Sequence, residues 1–306
     1  MTVYPDYYSR FSCIKGDCRH NCCIGWEIDI DSDTADFYKS VGGELGERLK
    51  ANICWEEPHF ILGERERCPF LNKDNLCDII IGLGEEHLCG ICAVHPRFRN
   101  ELPTRTEVGL GLSCEAAASL ILGNKEKVRL VYDGADGADE GEDGIVNLRD
   151  AIIDTLQDRE FDIFERLENM LWLCGQEDFE VDLGYWASRL AHLERFDNEW
   201  DKRLSLLGSR VDLNKFKEYT KAFEHEYEQL AVYFIYRHFA NAPDGENCIK
   251  RAKFAALAVK LIFALGAAEL ESKGSLDFDD RVDIARAFSS EIEYSDENLF
   301  AIIDEM

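Results

Sequence analysis

Ten of the chain's 12 cysteines fall in its first 114 residues, and the densest group reads Cys13-x4-Cys18-x3-Cys22-Cys23. Cys68-x8-Cys77, Cys89-x2-Cys92 and Cys114 follow. A lone cysteine packs as a small hydrophobe, but adjacent Cys22 and Cys23 cannot both face one core. Thiols at such density form disulfides or hold metal. Structural zinc takes four N or S ligands, typically from two Cys-x2-4-Cys knuckles; Cys89-x2-Cys92 fits one and Cys18-x3-Cys22 another. Iron–sulfur clusters also take four thiolates and accept more irregular spacing. The Cys22-Cys23 pair suits a polynuclear centre, or two neighbouring sites, better than one knuckle. The Cys-x3-Cys-x2-Cys triplet of radical chemistry is missing, because Cys22 is followed at once by Cys23.

The opening residues, Met1 to Arg10, show neither a basic segment nor an apolar one, so the sequence reads as that of a cytoplasmic protein without a secretory signal. In a reducing compartment a dense cysteine pattern points to metal rather than disulfides. Acidic residues outnumber basic ones 61 to 34, giving a formal charge of -27. That field argues against nucleic acid and anionic membrane as partners and favours a basic, lysine-bearing protein by electrostatic steering. It also keeps a chain soluble without any partner. The most apolar run, Phe254 to Ala268, is too short to span a bilayer and carries Lys260, so it reads as a buried helix.

These residues need elements to position them. The chain divides at 133–144, DGADGADEGEDG, an acidic glycine-rich segment with too little apolar surface to offset ordering. Residues 1–132 form the cysteine-rich part and 145–306 a helical domain. Trp26, Ile28 and Ile30 alternate with acids, which predicts a half-buried strand. Residues 33–52 predict a helix broken at Gly42, Gly43 and Gly46. Cys68 and Cys77 are expected to face each other across an Asn72-Lys73-Asp74-Asn75 turn. Thr104 to Leu112 predicts a strand, with Ser113 capping a helix from Cys114 to Leu122. Gly109-Leu-Gly111 lacks the third glycine of a dinucleotide fingerprint and reads as a tight turn delivering Cys114. Beyond the acidic segment, helical periodicity marks 148–156, 161–173, 183–207, 227–238, 254–270 and 281–289. His238, on an apolar stripe, reads as a core histidine.

The stretch from Arg10 to Ile28, RFSCIKGDCRHNCCIGWEI, resembles the opening of the flagellin lysine-N-methylase family. The resemblance continues through Cys68-Pro-Phe-Leu with Cys77, Cys92 with Pro96-Arg97, and Leu112-Ser-Cys114. It returns in Tyr227 to Phe239 and Ala285 to Leu299. It implies a metal site on Cys13, Cys18, Cys22, Cys23, Cys68, Cys77, Cys92 and Cys114, holding an iron–sulfur cluster, most simply 4Fe-4S, with zinc as the alternative. It also implies S-adenosylmethionine as methyl donor and a lysine-bearing protein, flagellin, as acceptor. Cys54 and Cys89 fall outside the matching motif.

Methyl transfer from a sulfonium to lysine needs a neutral amine, so the site must deprotonate the lysine or desolvate it. Spacing alone singles out no general base. Trp26, Arg286, Glu291, Glu293 and Asn298 are the candidates for lining a donor or substrate crevice. Each has a plainer reading, Trp26 as core and the others as a solvated helix end with Ser295 or Asp296 capping the next helix. The expected architecture is α+β, a small cysteine-rich metal-binding N-terminal domain packed on a mainly α-helical C-terminal domain. The expected function is S-adenosylmethionine-dependent lysine N-methylation; the alternative is a non-enzymatic zinc- or iron-chelating protein with a helical partner-binding domain.

Overall fold

A computed structural model describes residues 1–134, 144–177, 179–207, 211–242 and 244–306. The fold mixes α and β and is mainly helical, with one four-stranded and one two-stranded sheet among the described residues. It comprises two compact units. Residues 12–97 with 114–116 form the smaller, and residues 1–11, 98–113 and 117–306 the larger. Both described flanks of the acidic segment, the strand Leu130–Asp133 and the helix Gly144–Leu156, lie in the larger unit. The expected linker itself falls almost wholly on 135–143, outside the described residues.

In the smaller unit, short elements surround a core of Ile28, Ile30, Tyr38, Leu49, Ile53, Phe60, Phe70 and Ile79, with Cys68 and Cys89 among them. The broken helix expected near Gly42 is present as Ser32–Ser40 and Gly43–Ala51. Asp31 caps the first by accepting from the Thr34 amide at 3.0 Å. The expected strand around Trp26 to Ile30 is reduced to isolated bridges, Ile24 with Arg67 and Asp29 with His59. Its period-two burial survives, with Ile28 and Ile30 inside and Asp29 and Asp31 outside. The available partner is only the two-residue strand His59–Phe60, too short to sustain a ladder. The Cys68–Cys77 segment does fold back as expected: Leu71 pairs antiparallel with Cys77, and the Asn72 side chain accepts from the Asp74 and Leu76 amides.

The sheet of the larger unit runs Arg97–Glu101, Thr106–Leu110, Thr2–Pro5, Leu130–Asp133. Thr2–Pro5 pairs parallel with Thr106–Leu110 and antiparallel with Leu130–Asp133. Gly109 is where the backbone meets the Phe98 ring; a Cβ there would stand 2.3 Å from Cζ. Close packing therefore accounts for this glycine without a cofactor. The following helix is Glu115–Leu122, but Ser113 does not cap it: its Oγ is buried and has no hydrogen-bond partner among the described residues.

Two helices form the centre of the larger unit. Glu224–His238 is buried almost all round. Gly245–Lys273 holds the apolar run, whose Lys260 reaches the Phe179 carbonyl at 2.9 Å. The first buries Glu226, Glu228, Gln229 and His238 among its apolar residues, whereas the second is apolar on every side of its middle and so belongs in an interior. Asp244 caps the start of the second, and Gly274, at φ 79°, ends it in the left-handed conformation. No helix of the described residues is long and apolar enough to cross a membrane. The helix expected over 183–207 is two, Leu183–Leu190 and Asn198–Leu207, with an irregular connection held by groups far away in sequence.

Candidate functional site

Two constellations stand out, one in each unit. In the smaller unit the thiols collect. The Cys68 amide donates to the Cys23 carbonyl at 2.8 Å, tying the first cysteine loop to the start of the Cys68–Cys77 turn. Cys23, Cys77 and Cys92 pack on the core that contains Cys68 and Cys89. Cys89 precedes the helix Gly90–Val94, and Cys92 sits one turn along it. The Cys22 and Cys23 thiols are hydrogen-bonded to each other, as are those of Cys89 and Cys92. In each pair the bond favours ionisation of one thiol, Cys22 and Cys89, and holds the other, Cys23 and Cys92, well above the ordinary thiol range. Burial, aided by neighbouring charges, pushes Cys68 up to about 11 beside Cys77 and Cys18 up to about 12 beside Glu115.

Cys18 has a different setting. Its thiol donates to Glu115 Oε2 at 3.7 Å, and its neighbours are Cys22 and Cys114. Glu115 also accepts from the Arg19 amide at 2.8 Å and from Arg19 Nε at 2.6 Å. Cys13 is exposed, with its Sγ accepting from the Lys15 amide at 3.3 Å. Trp26 donates its indole N–H to the Cys22 carbonyl at 2.6 Å and has its ring near His95. That bond anchors the cysteine loop.

The chemistry of this donor set fits a thiolate-bound metal centre. No disulfide forms among the cysteines, and the ligands are soft sulfur in an apolar setting. Among the described residues, no three His, Cys, Asp or Glu side chains close round a single metal ion. An iron–sulfur cluster takes four thiolates and accepts irregular ligand spacing.

In the larger unit, a π-helical turn, Ser289–Glu293, continues the helix Phe278–Phe288 and directs Glu293 inward. Such turns recur at functional positions. The fully buried Glu293 carboxylate accepts from Tyr233 O–H at 3.0 Å, and its Oε1 lies 2.6 Å from His238 Nε2 and 3.5 Å from Arg237 Nε. Arg237 also donates to Tyr233 Oη at 2.6 Å and lies over the Phe98 and Tyr294 rings. Burial would raise the Glu293 carboxyl, but Arg237 and His238 hold it below the usual range. Burial holds His238 below its ordinary value, so it is the neutral partner of a carboxylate. His238 is thus a core histidine with a partner, as its apolar stripe suggests.

The remaining candidates have local partners. Glu291 accepts from the Phe196 and Asp197 amides at 3.0 and 2.8 Å. Asn298 accepts from the Glu194 amide and donates to the Glu194 and Glu291 carbonyls. Together they hold the connection between the helices Leu183–Leu190 and Asn198–Leu207. Arg286 pairs with Asp283 at 2.9 Å. Ser295 caps the helix Asp296–Glu305 by accepting from the Asn298 amide at 3.2 Å. Glu293 joins a different group from its neighbour Glu291, a division that spacing does not reveal. The sequence gives Cys89 a knuckle spacing with Cys92 but leaves it outside the family motif, and it does not connect Tyr233, Arg237 and His238 with Glu293.

The domain that carries this network is recognisable. Residues 210–306 match the family described as the FliB lysine N-methylase C-terminal domain. A lysine-N-methylase of Salmonella typhimurium is 30% identical over 137 residues, covering 41% of this chain and 33% of that protein. The lysine-N-methylase of Salmonella choleraesuis is 27% identical over 140 residues, with the same coverage. The flagellar biosynthetic protein FliU of Salmonella muenchen is 28% identical over 137 residues, covering 79% of its length. The matched part of the chain spans about a third of the two methylases. No solved structure matches the chain. By this C-terminal domain and these relatives, the chain is similar over part of its length to the FliB lysine N-methylases.

Proposed function

We propose that this protein N-methylates lysine side chains of a protein, flagellin in the first instance, with S-adenosylmethionine as donor and an iron–sulfur cluster on the cysteines of the smaller unit. The match of residues 210–306 to a lysine N-methylase domain carries the reading. The names of the relatives, a lysine-N-methylase and a flagellar biosynthetic protein, support the reaction and are consistent with a flagellar acceptor. The charge of -27 suits a lysine-rich acceptor, which it would attract before contact.

The residues divide the work. The thiolates hold the cluster, whose contribution when bound is to staple a unit that otherwise has a small core. The Tyr233–Glu293–His238–Arg237 group is too deeply buried to reach a protein lysine, so its role is to fix the π-helical turn and the helix Glu224–His238 in register. The cavity of about 10 Å³ bounded by Glu226, Tyr227, Gly266 and Arg281 has room for one water and does not hold the donor.

The test is transfer of labelled methyl from S-adenosylmethionine to purified flagellin by the isolated, anaerobically prepared protein. Label on lysine that requires both proteins supports the proposal. No transfer from folded, metal-loaded protein contradicts it.

A further inference from the structure

We infer that Cys89, which lies outside the motif that resembles the family, is a metal ligand, forming one set of four thiolates with buried Cys68 and partly buried Cys23 and Cys92. The inference rests on the metal reading above and deepens it. Three observations bring these residues together. The backbone bond from Cys68 to the Cys23 carbonyl joins two of them. Cys89 and Cys92 stand three apart across the start of one short helix, a spacing that puts both side chains on one face. Cys68 and Cys89 share one apolar core, on which Cys23 and Cys92 pack.

The start of that helix is fixed. The Gly90 amide donates to Asp31 Oδ2 at 2.8 Å, and Asp31 itself caps the helix Ser32–Ser40. Cys89 therefore has little freedom to turn away. A fully buried thiol hydrogen-bonded to a second thiol is a poor packing residue, since a methyl-bearing side chain would fill the space without a polar atom. As a thiolate beside metal it has a reason to be there. Cys13 is the contrast: it matches the family motif, yet it is exposed and its sulfur accepts from a backbone amide.

The experiment compares anaerobically purified wild type with Cys89→Ser, Cys92→Ser and Cys13→Ser for iron, zinc and sulfide per chain and for visible absorption, with far-ultraviolet circular dichroism as the folding control. Cys89→Ser is expected to lower metal content roughly tenfold or more, or to shift the absorption, as Cys92→Ser does; Cys13→Ser is expected to keep both. A Cys89→Ser protein with wild-type metal and spectrum, alongside a depleted Cys92→Ser, overturns the assignment. Should Cys89→Ser not fold, alkylation of the wild type resolves the question. Stripping the metal must expose Cys89 along with Cys92 while buried Cys248, in the other unit, stays slow; an unchanged Cys89 rate refutes the inference. Wild-type protein free of metal and sulfide overturns the metal reading itself.

Discussion

Replacing Glu293 by Gln keeps its shape and removes one charge from a buried site. The carboxylate is the ion-pair partner of Arg237 at 3.5 Å and the acceptor for His238 and Tyr233 at 2.6 and 3.0 Å. The amide can still accept one of these bonds, but the Arg237 cation is left inside without its countercharge. Breaking a buried pair on one side costs about 3–5 kcal/mol, a large part of a typical stability of about 5–15 kcal/mol. At about 3 kcal/mol per molar urea, the midpoint should fall by about 1 to 1.7 M. Circular dichroism at 222 nm follows the larger unit, where most of the helix lies.

The pH dependence supplies an internal check. His238 is held below its unfolded value, so the unfolded chain takes up its proton first, and stability falls as pH drops below about 6.5. Glu293 is also depressed, so its contribution is present above its unfolded value of about 4.3 and is lost as pH falls through the lower folded value. In Glu293→Gln the second loss should vanish while the first remains. A midpoint within about 0.3 M of wild type, against the expected shift, would refute the claim that this carboxylate neutralises a buried cation.

Gly109→Ala should cost about 1–3 kcal/mol, read as a lower urea midpoint, because the new Cβ meets the Phe98 ring; an unchanged midpoint would show that the ring moves freely. Asp162→Ala removes a capping box with Glu165 and a bond from Lys217 at 2.8 Å, and should lower stability by about 1 kcal/mol. Removing metal with a chelator should lower the thermal midpoint of the smaller unit and leave the larger unit's helix signal nearly intact. Cys22→Ala or Cys23→Ala should reproduce that effect; wild-type metal content and melting in both would rule it out.

Part of the fold is legible in the sequence. Cysteines are rare enough that Cys13 to Cys23 marks the cysteine-rich unit by itself, and the period of Leu230, Phe234 and His238 marks a helix whatever its neighbours. Trp26 to Ile30 shows the limit: its alternation reports burial, but whether a ladder forms depends on a partner 30 residues away, and that partner is two residues long. The Glu293 network was hidden for a related reason. Its members come from a helix and a π-helical turn 55 to 60 positions apart, and nothing local distinguishes Glu293 from Glu291. Cys89 stands outside the family motif, although Cys89-x2-Cys92 is by itself a metal-ligand spacing.

Lysine methylation that depends on the cysteine site is tested most directly by the intact mass of flagellin from the same organism, co-expressed with this protein or with Cys23→Ala. Whole-methyl increments on lysine with the wild type, absent with the variant, are the expected result. Unmodified flagellin beside folded, metal-loaded wild-type protein would contradict the account.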